Sequence, residues 1–379
     1  MKIMHLSDLH LGKKMENYSL EEDQAHILEE IVQIAVAEKP DCILIAGDVF
    51  DKSSPAVNAI TMFDNFLSQL ADLEIPTLID SGNHDSNERL AYGGWAMQHS
   101  GIHIAPLYDG TVSPLTLEDE FGPVRFWLLP FIRPMQVRDF FADQKTDTYD
   151  DAFAAAIGAI PINPSERNVL VAHQYVAGAV SSDSEETIIG NVECVSPEHF
   201  KAFDYTALGH LHTPQDVTSP RIHYCGTPLK YSYSERISKK SVSIIELGKK
   251  GDALETKAIL LHPLHDLRDV CGSFAELMEM PYTDDFVFLK LTDPQLILNA
   301  QEKLRTRFGR IMQIDYVERD EAEMSDSSAP AANPQHTPYE VFAEFFQKYT
   351  GKEMTPEQDK YITQLIQEIW EVNHETDPS

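Results

Sequence analysis

The order of apolar segments predicts a layered α/β domain, then a small α+β module and a terminal pair of helices. Two observations carry the first part. Up to about residue 230, short apolar runs alternate with helix-length amphipathic stretches, the pattern of helices stacked on sheets. The runs are apolar throughout, as strands buried on both faces are. A third observation ends this domain: near residue 263 the rhythm changes.

Taken in order, KIMHL, CILIAG, PTLID, GIHIA, VRFWLLP, NVLVAH and YTALGH read as buried strands. Residues 19–39 read as a helix with Leu28, Ile31, Val32 and Ala35 on one face, opened by a Ser19/Glu22 capping box. Residues 56–74 form a second, opened by Pro55 and carrying Ile60, Phe63 and Leu67. RIHYCG, SVSIIEL and TKAILLHP add strands that close a domain over residues 1–262. Next, FVFLKL and IMQIDYVE flank the helical stretch PQLILNAQEKLRTRF, giving the α+β module over 263–320. Residues 321–338, rich in Ser, Ala, Pro and acid, have linker composition. Two amphipathic helices follow over 339–373. The first carries Phe342, Phe345, Phe346 and Tyr349; the second starts at Thr355-Pro356, capped by Gln358, and carries Ile362, Leu365, Ile366 and Ile369. A pair this short cannot bury its apolar face alone, and the linker before it favours a partner over the chain's own body.

Composition narrows the function. The 379 residues hold 61 acidic against 30 basic side chains, a formal charge of −31, which argues against a protein that coats nucleic acid. Bound cations would reverse that sign locally. Cys42, Cys194, Cys225 and Cys271 are scattered without zinc-ribbon spacing and read as buried free thiols. The N-terminal MKIMHLSDLH meets charge too early for a signal peptide. No apolar run approaches the ~20 residues that span a bilayer, so the expectation is a cytoplasmic chain with no membrane partner.

The chemistry gathers at strand ends. KIMHLSDLHLG places Asp8 and His10 two apart, and CILIAGDVFDK places Asp48 after a glycine. TLIDSGNHDS gives Asn83, His84 and Asp85; NVLVAHQ gives His173; YTALGHLH gives His210 and His212. Ligands of open α/β sheets collect at the carboxyl ends of strands, so these residues can converge. A spacing of two suits an extended segment whose alternate side chains point the same way. His103, His199, His223 and His262 sit in no such pattern and read as ordinary hydrogen-bonded histidines.

The ordered set D-x-H, G-D, G-N-H-D, H and G-H-x-H resembles that of the calcineurin-like metallophosphoesterases. FDYTALGHLHTPQ, YCGTPLKYSYSE and the domain order are similar to the SbcD family, the nuclease subunits of bacterial SbcCD complexes, over residues 1 to about 372. The resemblance implies a four-layer α/β/β/α sandwich, with the small module as a capping domain that presents DNA. It implies two divalent ions, most readily manganese, with magnesium or iron as alternatives. Asp8, His10, Asp48 and His212 would hold one; Asp48, Asn83, His173 and His210 the other. His84 would act on the scissile phosphate or the leaving oxygen, with Asp85 either orienting its ring or stabilising the turn. Relatives that carry histidine where this chain has Asp51 leave open whether a second imidazole assists here.

The implied activity is a DNA nuclease, a 3′→5′ exonuclease on duplex ends and an endonuclease on hairpins and single strands. It would serve DNA repair, recombination and replication, associated with the nucleoid when on DNA. Lys13, Lys14 and Arg89 are candidate phosphate contacts; so few predict weak intrinsic affinity. An SbcC-type ATPase with coiled-coil arms would lend DNA binding, docking on the 339–373 helices. A homodimer within a heterotetramer or larger assembly is implied. The alternatives are a stand-alone phosphatase, which needs no capping module or helix pair, and an inactive scaffold, which needs no complete ligand set.

Overall fold

The structure, a computed structural model, describes residues 1–182, 193–317, 339, 342–343, 346–347 and 354–374. Two units emerge, Met1–Val317 and Glu318–Ser379.

The first unit is built on two six-stranded sheets. Its early strands are β1 (Lys2–Leu6), β2 (Lys14–Met15), β3 (Tyr18–Ser19), β4 (Cys42–Ala46), β5 (Thr77–Asp80), β6 (Ile102–Ile104) and β7 (Pro114–Asp119). Then come β8 (Gly122–Leu129), β9 (Arg167–His173), β10 (Tyr205–Gly209), β11 (Gln215–Val217), β12 (Ser219–Tyr224), β13 (Ser241–Glu246) and β14 (Glu255–Leu260). One sheet has the order β14-β13-β1-β4-β5-β6, the other β11-β12-β10-β9-β8-β7. In the first, β1, β4, β5 and β6 run parallel; in the second, β8, β9, β10 and β12 do.

Period-2 geometry explains the uninterrupted apolar runs. On β4, Cys42, Leu44 and Ala46 enter the core between the sheets, while Ile43 and Ile45 face the helices Glu21–Glu38 and Val57–Asp72. On β9, Val169 and Val171 enter the inter-sheet core, and Leu170 and Ala172 face helix Tyr149–Gly158. Three apolar cores in succession define the four layers α/β/β/α that the resemblance implies. The parallel strands deliver their carboxyl ends to one edge of the sandwich.

Residues 267–316 carry a separate parallel sheet of β15 (Leu267–Gly272), β16 (Thr283–Leu291) and β17 (Phe308–Tyr316). Helices Phe274–Glu279 and Ala300–Leu304 cover it around Leu277, Val287, Leu289, Leu304 and Phe308. Polar clasps tie this module to the sandwich: Asp23 to His265 at 3.0 Å, Lys230 to Asp266 at 2.8 Å and Arg236 to Asp269 at 2.9 Å.

Several local expectations are corrected. Ser19 makes no capping box; β3 holds it extended, its hydroxyl accepts from the Glu21 N–H at 3.3 Å, and Leu20 takes the cap position. The PQLILNAQEKLRTRF helix shrinks to Ala300–Leu304, because Asn299 adopts a left-handed φ of 55° before it and leaves Leu296 and Leu298 exposed. Strand β15 and helix Phe274–Glu279 were not expected, nor was β7, whose residues are only partly buried. In the second unit, Thr355 and Gln358 exchange backbone-to-side-chain bonds of 3.0 and 3.4 Å ahead of helix Pro356–His374. The linker 321–338, Phe345, Tyr349 and the side chain of Ile369 lie outside the described residues.

Candidate metal centre

Each strand that ends at the common edge turns away sharply. After β1, β4 and β10 the turns use left-handed backbone at residues other than glycine: Asp8 has φ 53°, His10 43°, Asp48 48° and His210 100°. Such conformations cost about 1–3 kcal/mol each and persist where the surroundings enforce them. Here the enforcement is mutual. Asp8 N–H donates to Gly47 O and His10 N–H to Asp48 O, both at 3.0 Å. His84 N–H donates to Asp48 Oδ1 at 2.9 Å, and His210 N–H to Asp8 Oδ1 at 3.0 Å. The His210/His212 pair is therefore not the outcome of strand alternation. β10 stops at Gly209, a left-handed turn aims both imidazoles at the site, and Leu211 between them is wholly buried in the outer core. Glycine is required at the edge itself: a Cβ on Gly47 would lie 2.3 Å from His173 Nδ1, and one on Gly82 2.0 Å from Asp48 Oδ1.

The donor atoms converge on Asp48. Its Oδ2 lies 3.3 Å from His173 Nε2, 3.6 Å from His10 Nε2 and 3.9 Å from His84 Nε2. On one side, His10 Nε2 and His212 Nε2 approach to 3.2 Å beside Asp8. On the other, Asn83 Oδ1 lies 3.0 Å from His173 Nε2 and 3.1 Å from His210 Nδ1. All the sequence-chosen ligand residues thus meet, in two groups that share Asp48. His173 Nδ1–H donates to Ala46 O at 2.9 Å, which leaves Nε2 as the atom facing the cluster.

The electrostatics suit a cation. Burial opposes charge on His173, yet the Asp48 and Asp8 carboxylates hold its pKa up to about 10. Burial likewise opposes charge on Asp48, but His173, His10 and His84 keep its carboxyl well below the usual range. Burial pushes Asp8 up to about 6, against the pull of His173 and His212. Burial lowers both His10 and His210, the latter to about 3. The field therefore concentrates negative potential at His173 Nε2, whose lone pair faces two oxygens unless a proton or a metal sits between. Carboxylate, amide and imidazole donors match borderline divalent ions. Cys225, the cysteine behind the cluster, donates to Ser7 Oγ at 3.1 Å, and Ser7 in turn donates to Asp8 Oδ2; it and Cys42 are buried free thiols as expected, whereas Cys194 is half-buried and Cys271 exposed. These residues fit a divalent-metal site.

His84 stands at the rim, with 15% of its side chain exposed. Its Nδ1–H donates to the Asp51 carbonyl at 3.0 Å, so Nε2 points inward. Asp85 does not touch that ring in any hydrogen bond among the described residues. It accepts instead from the N–H groups of Val49, Phe50 and Gly82 at 3.1, 2.9 and 3.0 Å, clamping the Asp48 turn to the Asn83 turn. Asp51 pairs with Lys13 Nζ at 2.9 Å. Lys14 is exposed, and Arg89 donates to the Ser53 carbonyl at 2.6 Å. The unpatterned histidines behave as expected where contacts are described: His199 pairs with Asp150, His223 with Asp216 and Ser243, and His262 with Glu30.

Sequence reasoning missed the layer behind His212. Glu235 Oε1 lies 3.4 Å from His212 Nδ1, and Lys240 pairs with Glu235 Oε2 while donating to the His212 carbonyl at 2.9 Å. Tyr231 donates to Leu9 O at 2.6 Å and Gln24 to His10 O at 2.7 Å. The sequence signal for this layer is GTPLKYSYSE, which marks the family but by itself suggests no structural role.

Comparison with known proteins agrees with this geometry. Residues 1–214 match the calcineurin-like phosphoesterase family, and residues 263–350 match the type 5 capsule protein repressor C-terminal domain. The chain is 30% identical over 374 residues to the SbcD component of the SbcCD nuclease of Staphylococcus epidermidis, covering 97% of this chain and 98% of that one. The SbcD component of the Staphylococcus saprophyticus nuclease is 30% identical over 390 residues, covering 98% and 99%. Among solved structures, a dimetal phosphatase from Danio rerio overlays on 68% of this chain and 95% of its own, with a TM-score of 0.40 and 12% identity. No helix among the described residues is long and apolar enough to cross a membrane. The chain belongs to the calcineurin-like phosphoesterases and, within them, to the SbcD family of SbcCD nuclease components.

Proposed function

We propose that the protein is a metal-dependent DNA nuclease that works with an SbcC-type ATPase in DNA end processing. The single observation that carries this reading is the two-lobed cluster around Asp48 in a chain alignable end to end with SbcD nucleases. Asp8, His10, Asp48 and His212 would hold one divalent cation, and Asp48, Asn83, His173 and His210 a second, with manganese the best match to the donor set. Bound there, such ions supply Lewis acidity toward a phosphodiester and make hydroxide available near neutral pH. The chain's own work is to hold these donors with their protons elsewhere. Ala46 O accepts the His173 Nδ1–H, and backbone N–H groups orient Asp8 and Asp48.

His84 is the group placed to move a proton. Asp51 O fixes its Nδ1–H, so Nε2 carries the exchangeable site toward the cluster. In that position it protonates the leaving oxygen or donates to the phosphate, a role imidazole suits near neutral pH. Lys13, held by Asp51 beside the site, and Lys14 and Arg89 farther out are the candidate phosphate contacts. The 263–320 module serves as the cap that presents DNA, and the 339–373 helices as the dock for the ATPase's coiled coil. Dimerisation through nuclease-domain helices is supported by an apolar groove of about 560 Å³ lined by Ile60, Phe63, Leu67 and Tyr92, with Val57 and Trp95 also exposed nearby. The expected actions are 3′→5′ removal from duplex ends and endonucleolytic opening of hairpins, in the cytoplasm.

The test offers end-labelled duplex and hairpin DNA to the purified protein with manganese, alone and with the ATPase plus ATP, beside His84→Ala. Shortened and nicked products from wild type, lost with chelator and in the variant, are expected. Intact DNA under every condition, together with dephosphorylation of a phosphopeptide, contradicts the reading.

A further inference from the structure

The Tyr233–Ile237 turn has two faces that grip different parts of the molecule. Inward, Glu235 is 1% exposed and its carboxylate faces His212 Nδ1 at 3.4 Å. Its other oxygen is held by Lys240, and Ser232, the residue just before the turn, donates to the carboxylate at 3.0 Å. Lys240 Nζ and the Thr227 backbone N–H donate to the same histidine's carbonyl at 2.9 and 3.2 Å. Outward, the neighbouring residue Arg236 pairs with Asp269 of β15 at 2.9 Å and lies 4.0 Å over the Tyr233 ring. That ring in turn packs on Phe288 of β16 at 4.4 Å. One five-residue turn thus connects a metal-site imidazole to the small module through adjacent residues with opposite orientations.

We propose that this turn is a mechanical link by which the seating of the 267–316 module sets the orientation of His212, with Glu235 as the positioning residue. The proposal rests on the reading of His212 as a metal ligand. The physical basis is direct. An imidazole bound through Nε2 is aimed by whatever its Nδ1 bonds, so the Glu235 carboxylate fixes the ring plane. Glu235 cannot relax independently, because Lys240 and Ser232 hold it in a buried site where an unpaired charge is costly. The turn itself is too short to absorb a displacement. A shift of β15 and β16 therefore pulls Arg236 and Tyr233, and carries Glu235 with them. Anything that reseats the module, such as DNA or the partner ATPase, would alter how well the Asp8–His10–Asp48–His212 group holds its ion.

The test titrates the full-length protein with manganese and follows free ion by electron paramagnetic resonance. Wild type is compared with His212→Ala, Glu235→Gln, Arg236→Ala, Asp269→Asn and the Glu235→Gln/Arg236→Ala double variant. Loss of the Glu235 contact should weaken one of the sites about 10- to 100-fold. Loosening the outer face through Arg236→Ala or Asp269→Asn should weaken the same site roughly two- to thirtyfold. The double variant should be no weaker than Glu235→Gln alone, because both act through one route. Arg236 and Asp269 lie near the surface, so these variants keep the fold even if Glu235→Gln does not. Manganese binding at wild-type strength in both surface variants overturns the link, as does a double variant showing the full product of the single effects. If His212→Ala itself binds like wild type, the ligand reading fails and the link falls with it.

Discussion

Replacing Asp85 by alanine separates two roles that its position in G-N-H-D allows. In the structure its carboxylate accepts three backbone N–H groups, from Val49, Phe50 and Gly82. Alanine strands all three in a region where Val49 is fully buried. At a mid-range cost of about 2 kcal/mol for each unsatisfied donor, the loss approaches ~6 kcal/mol. Removing the carboxylate also relieves its own burial, which pushes its pKa up to about 6 from 3.8, and this offsets about 3 kcal/mol. The net expectation is destabilisation of about 3 kcal/mol, or a fall in Tm of about 4 °C for a chain of this size. Thermal unfolding with excess chelator measures it, so that lost metal binding does not inflate the shift. Asp85→Asn, which keeps one acceptor oxygen, should fall between. A Tm within about 1 °C of wild type, with only turnover reduced, would refute the clamp and return Asp85 to orienting the His84 ring.

Other outcomes follow from the same geometry. His84→Gln should lower the rate of DNA cleavage by about 10²- to 10⁴-fold while leaving manganese affinity unchanged in titration. His173 has a folded pKa near 10, raised from 6.5, so the stability it lends the metal-free protein is complete below about 6.5 and is lost as pH rises through about 10. Metal must displace that proton; calorimetry at pH 8 in buffers of different ionisation enthalpy should therefore show about one proton released per chain. Affinity should tighten by up to about tenfold per pH unit between 7 and 9. Deleting residues 339–379 should abolish co-purification with the ATPase while sparing metal binding, and survival of the complex would exclude that segment as the main contact.

The strands with both faces buried were legible because each residue of CILIA or VLVA goes to one core or the other, leaving no polar interruption. β7 was not, since its partial burial on the sheet edge gives PLTLED no decisive period. The module's first strand, LRDVCG, hides behind charges that clasp the sandwich, Asp269 to Arg236 among them. Residue types at the strand ends pointed to the cluster that the fold brings together, because carboxylate, amide and imidazole in fixed order have few other uses. Their geometry was less accessible: D-x-H and H-x-H suggest strand alternation, whereas left-handed turns at Asp8, His10 and His210 do the aiming. Glu235 and Lys240 could not be placed, for nothing in linear order connects residue 235 to the back of an imidazole at 212. Asp85 stabilising its own turn was one of the two readings open in the sequence; that it also clamps the Asp48 turn emerges only where N–H groups from two turns converge.

Two cations sharing Asp48 is the central claim. Equilibrium dialysis of the full-length protein against manganese, with the resonance spectrum recorded on the loaded sample, addresses it most directly. Two ions per chain with an exchange-coupled multiline signal, falling to at most one uncoupled ion in Asp48→Asn, is the predicted result. A single ion per chain in wild type, or two ions with no coupling, would contradict the shared bridge.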